Sequence, residues 1–248
     1  MEKIRLNKYL SDRGVVSRRE ADRLTEAGRI LVNGERASVG MKVSDEDIIL
    51  VDGKEAAKEA PEKVILAVHK PRGVVCTSRA FKGEKNIVDM VKYDTRLYPV
   101  GRLDKDSEGL IFLTNDGEFG AELMKASGRH EKEYEVVVHK EMTDAFLKRM
   151  EKGIFLEELD KTTSPCKIVK TGDRRFCIIL TQGLNRQIRR MCEAMGYHVT
   201  ALKRVRIMNV LLGELPSGAW REVSGEEKEK LLSAVKAKKT GRKRSGRG

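Results

Sequence analysis

Strand-like runs alternate with helical runs over most of this chain, from Val64 to about Val235. The strand-like runs lie at 64–68, 110–114, 134–138 and 176–180, and helices are predicted near 119–126, 144–151 and 185–195. Hairpin signals join several of the strands. This order predicts an α+β domain built on a mixed, mainly antiparallel sheet.

Residues 1–53 form a smaller unit with its own pattern. Ser17-Arg18-Arg19-Glu20 has the spacing of a capping box that begins a helix, and Gly28 is placed to end it. Two short strands are predicted to follow, with Asn33-Gly34 as the tight turn after the first. With Arg5-Leu6-Asn7-Lys8-Tyr9-Leu10 ahead of these features, the unit resembles an S4-type RNA-binding domain.

Composition sets the other domain boundaries. Residues 54–62 are charged, rich in alanine and include a proline, which is typical of a linker. The larger domain is therefore expected to occupy 63–235. The segment 236–248 contains seven lysines and arginines and no acidic residue, so we expect a disordered basic tail there.

The charge of the chain points to a polyanionic partner. The formal net charge is +12 and the isoelectric point is about 9.5, as in many nucleic-acid-binding proteins. The four cysteines lack the spacing of zinc ligands, so we expect reduced thiols, no metal and a cytoplasmic protein. No apolar run is long enough to cross a membrane, and no sustained heptad pattern indicates an oligomer, so a monomer is expected.

One carboxylate lies in an unusual place for a protein with such a partner. Asp104 stands between Arg102 and Lys105, in a loop that leads into an apolar strand. A surface that binds phosphates is expected to avoid carboxylates, whereas an enzyme acting on RNA can need one. Taken alone, Asp104 is better explained as a turn residue.

Three further motifs carry polar residues next to predicted elements. Asn185 is placed to cap a helix whose apolar stripe includes Ile188 and Met191, and arginines crowd its first turn. Tyr134 begins a strand and is by itself a plausible core residue. The basic loop Lys70-Pro71-Arg72-Gly73 follows the first strand of the larger domain.

Together these four motifs, in this order and spacing, resemble the pseudouridine synthases of the RsuA-like branch, which joins an S4 domain to the catalytic domain. The resemblance spans nearly the whole chain, and the Gly-Arg-Leu-Asp and Asn-Arg-Gln-Ile-Arg-Arg-Met motifs are highly specific together. Lys105-Asp106-Ser107 and Arg206-Ile207-Met208-Asn209-Val210 look most like the RluF type, which acts on 23S ribosomal RNA. Ser107 departs from the threonine that is frequent in the wider family but keeps its hydroxyl.

The resemblance implies roles for individual residues. Asp104 matches the catalytic aspartate, Tyr134 the active-site tyrosine near the target base, and Arg189 the basic residue that pairs with the aspartate. Leu202 matches an apolar residue that lines the pocket. The residues expected to contact RNA are Arg5, Lys8, Arg18, Arg19, Arg102, Leu103, Lys105, Leu184, Asn185, Arg186 and Gln187.

The same resemblance implies a mechanism. A pseudouridine synthase cuts the bond between N1 of uracil and C1′ of ribose, turns the base and rejoins it through C5, and this needs neither a cofactor nor a metal. The target uridine must leave its stack to be reached. Asp104 would act as an ionised carboxylate, either as a nucleophile or as a proton acceptor at the sugar. The target uridine, and a tRNA as second substrate, are left open.

Two other functions are compatible with parts of the sequence. A non-catalytic S4-type RNA-binding or ribosome-assembly protein would explain the charge and residues 1–53, but not the coincidence of Asp104, Tyr134 and Arg189 with an active site. A carboxylate hydrolase acting on nucleosides or sugars would need a second catalytic carboxylate. Asp106 and Glu108 are near enough in sequence to supply it, but they do not match the catalytic positions of the family.

Overall fold

Two units make up the computed structural model, which describes residues 3–77 and 83–237. One unit comprises Met1–Lys63 with the short segments Tyr93–Arg96 and Asn115–Gly117, and the other comprises the rest of the chain. The first unit has one apolar core, and the second has two. None of the helices in these described ranges is long and apolar enough to cross a membrane.

The structure contains seven α-helices within the described residues. They are α1 (Leu6–Asp12), α2 (Arg18–Glu26), α3 (Ile87–Val91), α4 (Gly117–Met124), α5 (Asp144–Lys152), α6 (Gln187–Glu193) and α7 (Gly225–Ala237). Single 3₁₀ turns lie at Ala126–Gly128 and Glu157–Leu159.

The strands are short in the first unit and longer in the second. They are β1 (Ile4–Arg5), β2 (Ile30–Val32), β3 (Glu35–Arg36), β4 (Lys42–Val43), β5 (Ile49–Val51), β6 (Lys54–Glu55), β7 (Ile65–Lys70), β8 (Tyr98–Val100), β9 (Glu108–Thr114), β10 (Lys132–Val138), β11 (Phe155–Leu156), β12 (Lys161–Thr162), β13 (Lys167–Gly172), β14 (Arg175–Leu180), β15 (Val199–Ile207), β16 (Val210–Leu211) and β17 (Trp220–Glu222).

The first unit follows its sequence signals closely. The Ser17 hydroxyl accepts a hydrogen bond from the Glu20 amide at 3.1 Å, so the capping residue satisfies one of the free amides that begin α2. Asn33 and Gly34 both have positive φ, 53° and 87°, as the tight turn between β2 and β3 requires. The four strands β3-β2-β5-β6 form one sheet. Since β6 is part of it, this sheet continues two residues into the segment expected to be a linker.

The second unit is built on one nine-stranded sheet with the order β13-β14-β10-β15-β9-β7-β17, to which β16 and β8 are paired at β15 and β9. All of these pairs are antiparallel except β15 with β9, which is parallel. The mixed, mainly antiparallel sheet predicted from the sequence is thus confirmed.

The parallel pair lies between two apolar cores of this sheet. One core joins β10, β14 and β15 to α5 and α6, with Phe146, Phe176 and Met191 fully buried. The other joins β7 and β9 to α4 and α7, with Phe112 and Leu231 fully buried. Helix α7 runs to Ala237, so the first two residues of the expected basic tail are helical. The remainder of that tail, 238–248, lies outside the described residues.

Candidate active site

The loop that carries Asp104 connects β8 to β9 and is fixed by several backbone contacts. Gly73 donates its amide to the Lys105 carbonyl at 2.7 Å, and the Leu103 amide contacts Cys76 Sγ at 3.3 Å. The ammonium of Lys70, a fully buried residue, donates to the carbonyls of Pro71 and Val74 at 2.9 and 2.8 Å. Burial lowers the pKa of Lys70. The basic loop 70–74 is thus hydrogen-bonded to the Asp104 loop.

The parallel pairing of β9 with β15 places this loop beside Leu202. Gly109 lies opposite Arg204 in that pairing and has φ 113°, a conformation that residues with a side chain rarely adopt. A Cβ atom at Gly109 would lie 2.2 Å from the Arg204 carbonyl oxygen. Only glycine therefore lets β9 approach β15 this closely.

The neighbouring strand β10 brings in Tyr134. Tyr134 is paired with Arg204 of β15, and Val136 with Leu202, so Tyr134 and Leu202 share one face of the sheet. The guanidinium carbon of Arg204 lies 6.0 Å from the centre of the Tyr134 ring. The Arg204 Nε donates to the Leu110 carbonyl at 2.6 Å, which ties β15 to β9 at the same place.

Helix α6 supplies the cations. The prediction that Asn185 caps this helix was wrong. The N-cap residue is Arg186, whose backbone is left-handed at φ 50° and ψ 34°. The Gln187 side chain turns back to accept the Leu184 amide at 3.0 Å, so the helix begins later and with a different local turn. Asn185 Oδ1 instead accepts a long hydrogen bond from Arg190 at 3.4 Å.

The two arginines near Asp104 differ in their surroundings. Arg189 is buried and donates to the Val199 carbonyl at 3.1 Å and the Ser107 hydroxyl at 3.2 Å. Its Nε lies 4.0 Å from Asp104 Oδ2, and its Nη2 lies closer to Asp106, at 3.2 Å. The nearest cation to Asp104 is Arg186, at 3.5 Å. The expected pairing of Arg189 with Asp104 is therefore a contact at 4.0 Å, shared with a second arginine.

Asp104, Ser107 and Arg186 border a cavity with about 90 Å³ of space open to water. Its lining is Arg102, Leu103, Asp104, Ser107, Tyr134, Leu180, Gln182, Gly183, Leu184, Arg186, Gln187, Ile188 and Leu202. The cavity joins one carboxylate and an aromatic ring to an apolar wall, with exposed arginines among its lining residues. That is a suitable set for a planar base whose sugar and phosphates remain near solvent.

The other residues expected to contact RNA have different environments. In this unit Lys105 is exposed and pairs with Glu84 at 2.9 Å, while Leu103 and Gln187 are buried. In the first unit Arg5, Arg18 and Arg19 are exposed, and Lys8 pairs with Asp12 at 2.6 Å. Arg18 and Arg19 thus present exposed side chains in the first turn of α2, with no ion pair to any residue in the described ranges.

The sequence did not predict the parts of the site that depend on contacts between residues far apart in the chain. Ser107 is fully buried and orients Arg189 through its hydroxyl, yet the sequence indicated only that a hydroxyl is kept there. Asp106 shares both arginines with Asp104. A serine directly before a strand in a charged loop is a weak signal that could have suggested such a role.

Lys132 is expected to make the free energy of unfolding depend on pH. Burial lowers the pKa of Lys132 from 10.5 to about 8, and the nearby Arg204 adds to this. The folded protein thus releases this proton near pH 8, whereas the unfolded chain holds it up to about pH 10.5. Since the unfolded chain binds more protons in that window, this residue makes folding more favourable as pH rises through it.

We therefore expect Lys132→Met to be more stable than the wild type at pH 7, by up to about 3 kcal/mol. The advantage should shrink as pH approaches 10.5. Urea denaturation at pH 7 and pH 9.5 measures it, with Lys161→Met at an exposed position as the control. A difference between Lys132→Met and wild type that does not change with pH would contradict this assignment.

Comparison with known proteins agrees with this geometry. The family described as RNA pseudouridylate synthase matches residues 64–194, and the S4 domain family matches residues 4–49. A solved structure titled "Crystal structure of pseudouridylate synthase" superposes with a TM-score of 0.68 at 28% identity, covering 92% of this chain and 99% of that one.

Similar sequences span nearly all of the chain. The dual-specificity RNA pseudouridine synthase RluF of Salmonella typhi is 47% identical, over 93% of this chain and 79% of the relative. The relative of the same name from Escherichia coli (strain K12) is 46% identical, over 94% of this chain and 79% of its own length. Ribosomal large subunit pseudouridine synthase B of Bacillus subtilis is 37% identical, over 92% of this chain and 95% of that protein.

Proposed function

This chain belongs to the RNA pseudouridine synthase family of isomerases, and we propose that it converts one specific uridine of 23S ribosomal RNA to pseudouridine. The resemblance noted in the sequence is confirmed by the family match. The observation that carries the proposal is that Asp104, Tyr134 and Leu202 line the same cavity. Relatives named for the ribosomal large subunit support that subunit's RNA as substrate. Relatives named dual-specificity support a second RNA substrate, and we propose a tRNA for that role.

In this proposal the uridine flips out of its stack and enters the cavity. Tyr134 and Leu202 hold the uracil between them and exclude water. Asp104 acts on the sugar as an ionised carboxylate, as nucleophile or as proton acceptor, while the N1–C1′ bond breaks. The base turns, C5 bonds to C1′, and the C5 proton is lost while N1 gains one. The atoms balance, as an isomerisation requires.

Arg189 orients Asp104 from the buried side. The guanidinium is held by Val199 and Ser107, so its position does not depend on RNA. It offsets part of the negative charge of Asp104 where water is excluded. Arg102, exposed at the cavity, is placed to contact the RNA beside the flipped base.

RNA recognition is assigned to the exposed cations of both units. We include Arg5, Lys8, Arg18 and Arg19 of the first unit in this role, with Lys105, Asn185 and Arg186 near the cavity. Leu103, Leu184 and Gln187 contribute lining rather than charge. The protein acts as a monomer in the cytoplasm, where it meets its RNA free or in an assembly intermediate.

Pseudouridine mapping tests this function. Unmodified 23S ribosomal RNA incubated with the purified protein should gain pseudouridine at one position, detected by carbodiimide labelling and primer extension. The same position should lose its signal in cells that lack the protein. Modification of no position in this RNA, with activity only on other RNAs, would overturn the substrate assignment.

The role of the first unit is tested with the same RNA. Arg18→Ala combined with Arg19→Ala should raise the KM for RNA about tenfold and flatten its salt dependence, because phosphate contacts are lost. Arg23→Ala on the same helix is the matched control, since that guanidinium is already paired with Glu20 at 2.9 Å. Equal effects of the two changes would argue against a recognition role for Arg18 and Arg19.

A further inference from the structure

Arg186 contacts two acidic side chains beside the cavity. A single atom, Nη1, lies 3.5 Å from Asp104 Oδ2 and also 3.5 Å from Asp106 Oδ1. The left-handed backbone of Arg186, rare for a residue with a long side chain, accompanies this arrangement. The guanidinium therefore covers part of the Asp104 carboxylate, the group that is proposed to act on the sugar.

The contact of Arg186 is of a kind that is easily exchanged. Its side chain is 40% exposed, and both of its distances to the carboxylates are long for charged hydrogen bonds. Exposed ion pairs of this kind contribute little to stability. A phosphate can instead accept two parallel N–H bonds from a guanidinium, which is the stronger and better-defined interaction.

Arg189, in contrast to Arg186, is buried and firmly held, and it can act by itself as the counter-charge of Asp104. Its side chain is 8% exposed and is held by the Val199 carbonyl and the Ser107 hydroxyl. Its Nε is buried, has no hydrogen-bond partner among the described residues, and points within 4.0 Å of Asp104 Oδ2. When Arg186 leaves, this donor remains as a counter-charge for Asp104.

The charges around Asp104 also favour a change of partner for Arg186. Asp104 and Asp106 face Arg186 and Arg189, so the formal charges of these four side chains sum to zero. An RNA backbone placed over the cavity adds negative charge at its exposed edge. The exposed cation is the one that can turn towards that charge, whereas the buried one cannot.

We propose that Arg186 is a positioning residue that exchanges partners: it covers Asp104 in the free enzyme and passes to a backbone phosphate beside the target uridine when RNA docks. The exchange frees Asp104 for C1′ only when a nucleotide is in place, and so couples RNA binding to exposure of the reactive carboxylate. This inference rests on the proposed role of Asp104.

The test combines a change in the protein with a change in the RNA. The substrate is a synthetic stem-loop of 23S ribosomal RNA that contains the mapped uridine, with a neutral methylphosphonate placed singly at each linkage flanking it. Single-turnover rates at saturating RNA and binding constants are measured for wild type and Arg186→Gln. Arg186→Lys keeps the charge without the planar guanidinium and is the conservative variant.

For wild type, one of the two neutral linkages should slow the single-turnover rate about tenfold and weaken binding, because Arg186 then stays on Asp104. In Arg186→Gln the ratio of rates on native and neutral RNA should be close to one, and binding of native RNA should be about tenfold weaker. Arg186→Lys should restore part of the sensitivity to the linkage. A merely structural role for Arg186 would not produce this dependence on a single phosphate.

Two results would overturn the exchange. One is the same slowing by the neutral linkage in wild type and in Arg186→Gln, and the other is no slowing of the wild type at either linkage. Either result leaves the proposed function intact if the wild type still modifies the native stem-loop. Absence of pseudouridine from the native stem-loop, in contrast, would be a failure of the proposed function itself.

Discussion

Asp104→Asn is expected to form pseudouridine at least about 10³-fold more slowly than the wild type, with little loss of RNA binding. Asparagine has nearly the same size and can still accept hydrogen bonds, so the loop between β8 and β9 should keep its shape. It is neither an ionised nucleophile nor a base. Removing a negative charge beside RNA phosphates should, if anything, strengthen binding. Single-turnover assays and filter binding on the same RNA measure the two effects separately.

Asp106→Asn is the matched control for this variant. Asp106 lies two residues away, faces Arg186 and Arg189 as Asp104 does, and is more exposed, with 53% of its side chain accessible against 30%. It is not among the residues that line the cavity. Its change should lower the rate by no more than about tenfold. Comparable losses in both variants would mean that the charge of the pair, and not Asp104 itself, is what the reaction needs.

The second large effect is expected from Gly109→Ala. A methyl group there would lie 2.2 Å from the Arg204 carbonyl oxygen and 2.5 Å from its amide nitrogen, both backbone atoms. It would also force alanine to adopt φ 113°. We expect a loss of about 3 kcal/mol or more in the free energy of unfolding of the larger unit. Urea denaturation followed by tryptophan fluorescence is the measurement, since Trp220 is the one tryptophan of the chain.

Gly120→Ala provides the control for overpacking. Gly120 lies in α4, and a Cβ there would meet Tyr98 and Val100 side-chain atoms at 3.5 and 3.6 Å, which are ordinary contact distances. Because alanine also favours a helix, its effect should be within about 1 kcal/mol. If Gly109→Ala were as stable as Gly120→Ala, the close approach of β9 and β15 would not need a glycine.

The sequence was most informative where local rules dominate. The strand-like run at 176–180 predicts a strand, and β14 spans Arg175–Leu180. The helix predicted at 144–151 is α5, Asp144–Lys152, and the Thr143 hydroxyl caps it by accepting the Phe146 amide at 3.1 Å. Periodicity and capping act within a few residues, so they are visible in a single chain.

The active-site arrangement was only partly predictable, because it depends on contacts between distant parts of the chain. The parallel pairing of β9 with β15 brings together residues almost a hundred positions apart in the chain. No local sequence pattern predicts this pairing. The start of α6 depended on Gln187 turning back to Leu184, which competed with the Asn185 cap. Arg186 was expected to contact only RNA, whereas its left-handed backbone and its contacts with Asp104 and Asp106 appear only in the fold.

The division of the sheet into two apolar cores has a consequence for how the enzyme matures. Asp104 lies in the loop before β9, a strand of one core, whereas Tyr134, Arg189 and Leu202 come from β10, α6 and β15, which build the other. During synthesis the carboxylate leaves the ribosome long before its arginines and its apolar wall. The proposed catalytic groups therefore come together only when β15 pairs with β9. A packing defect in either core, far from the cavity, will look like a catalytic defect in an activity assay.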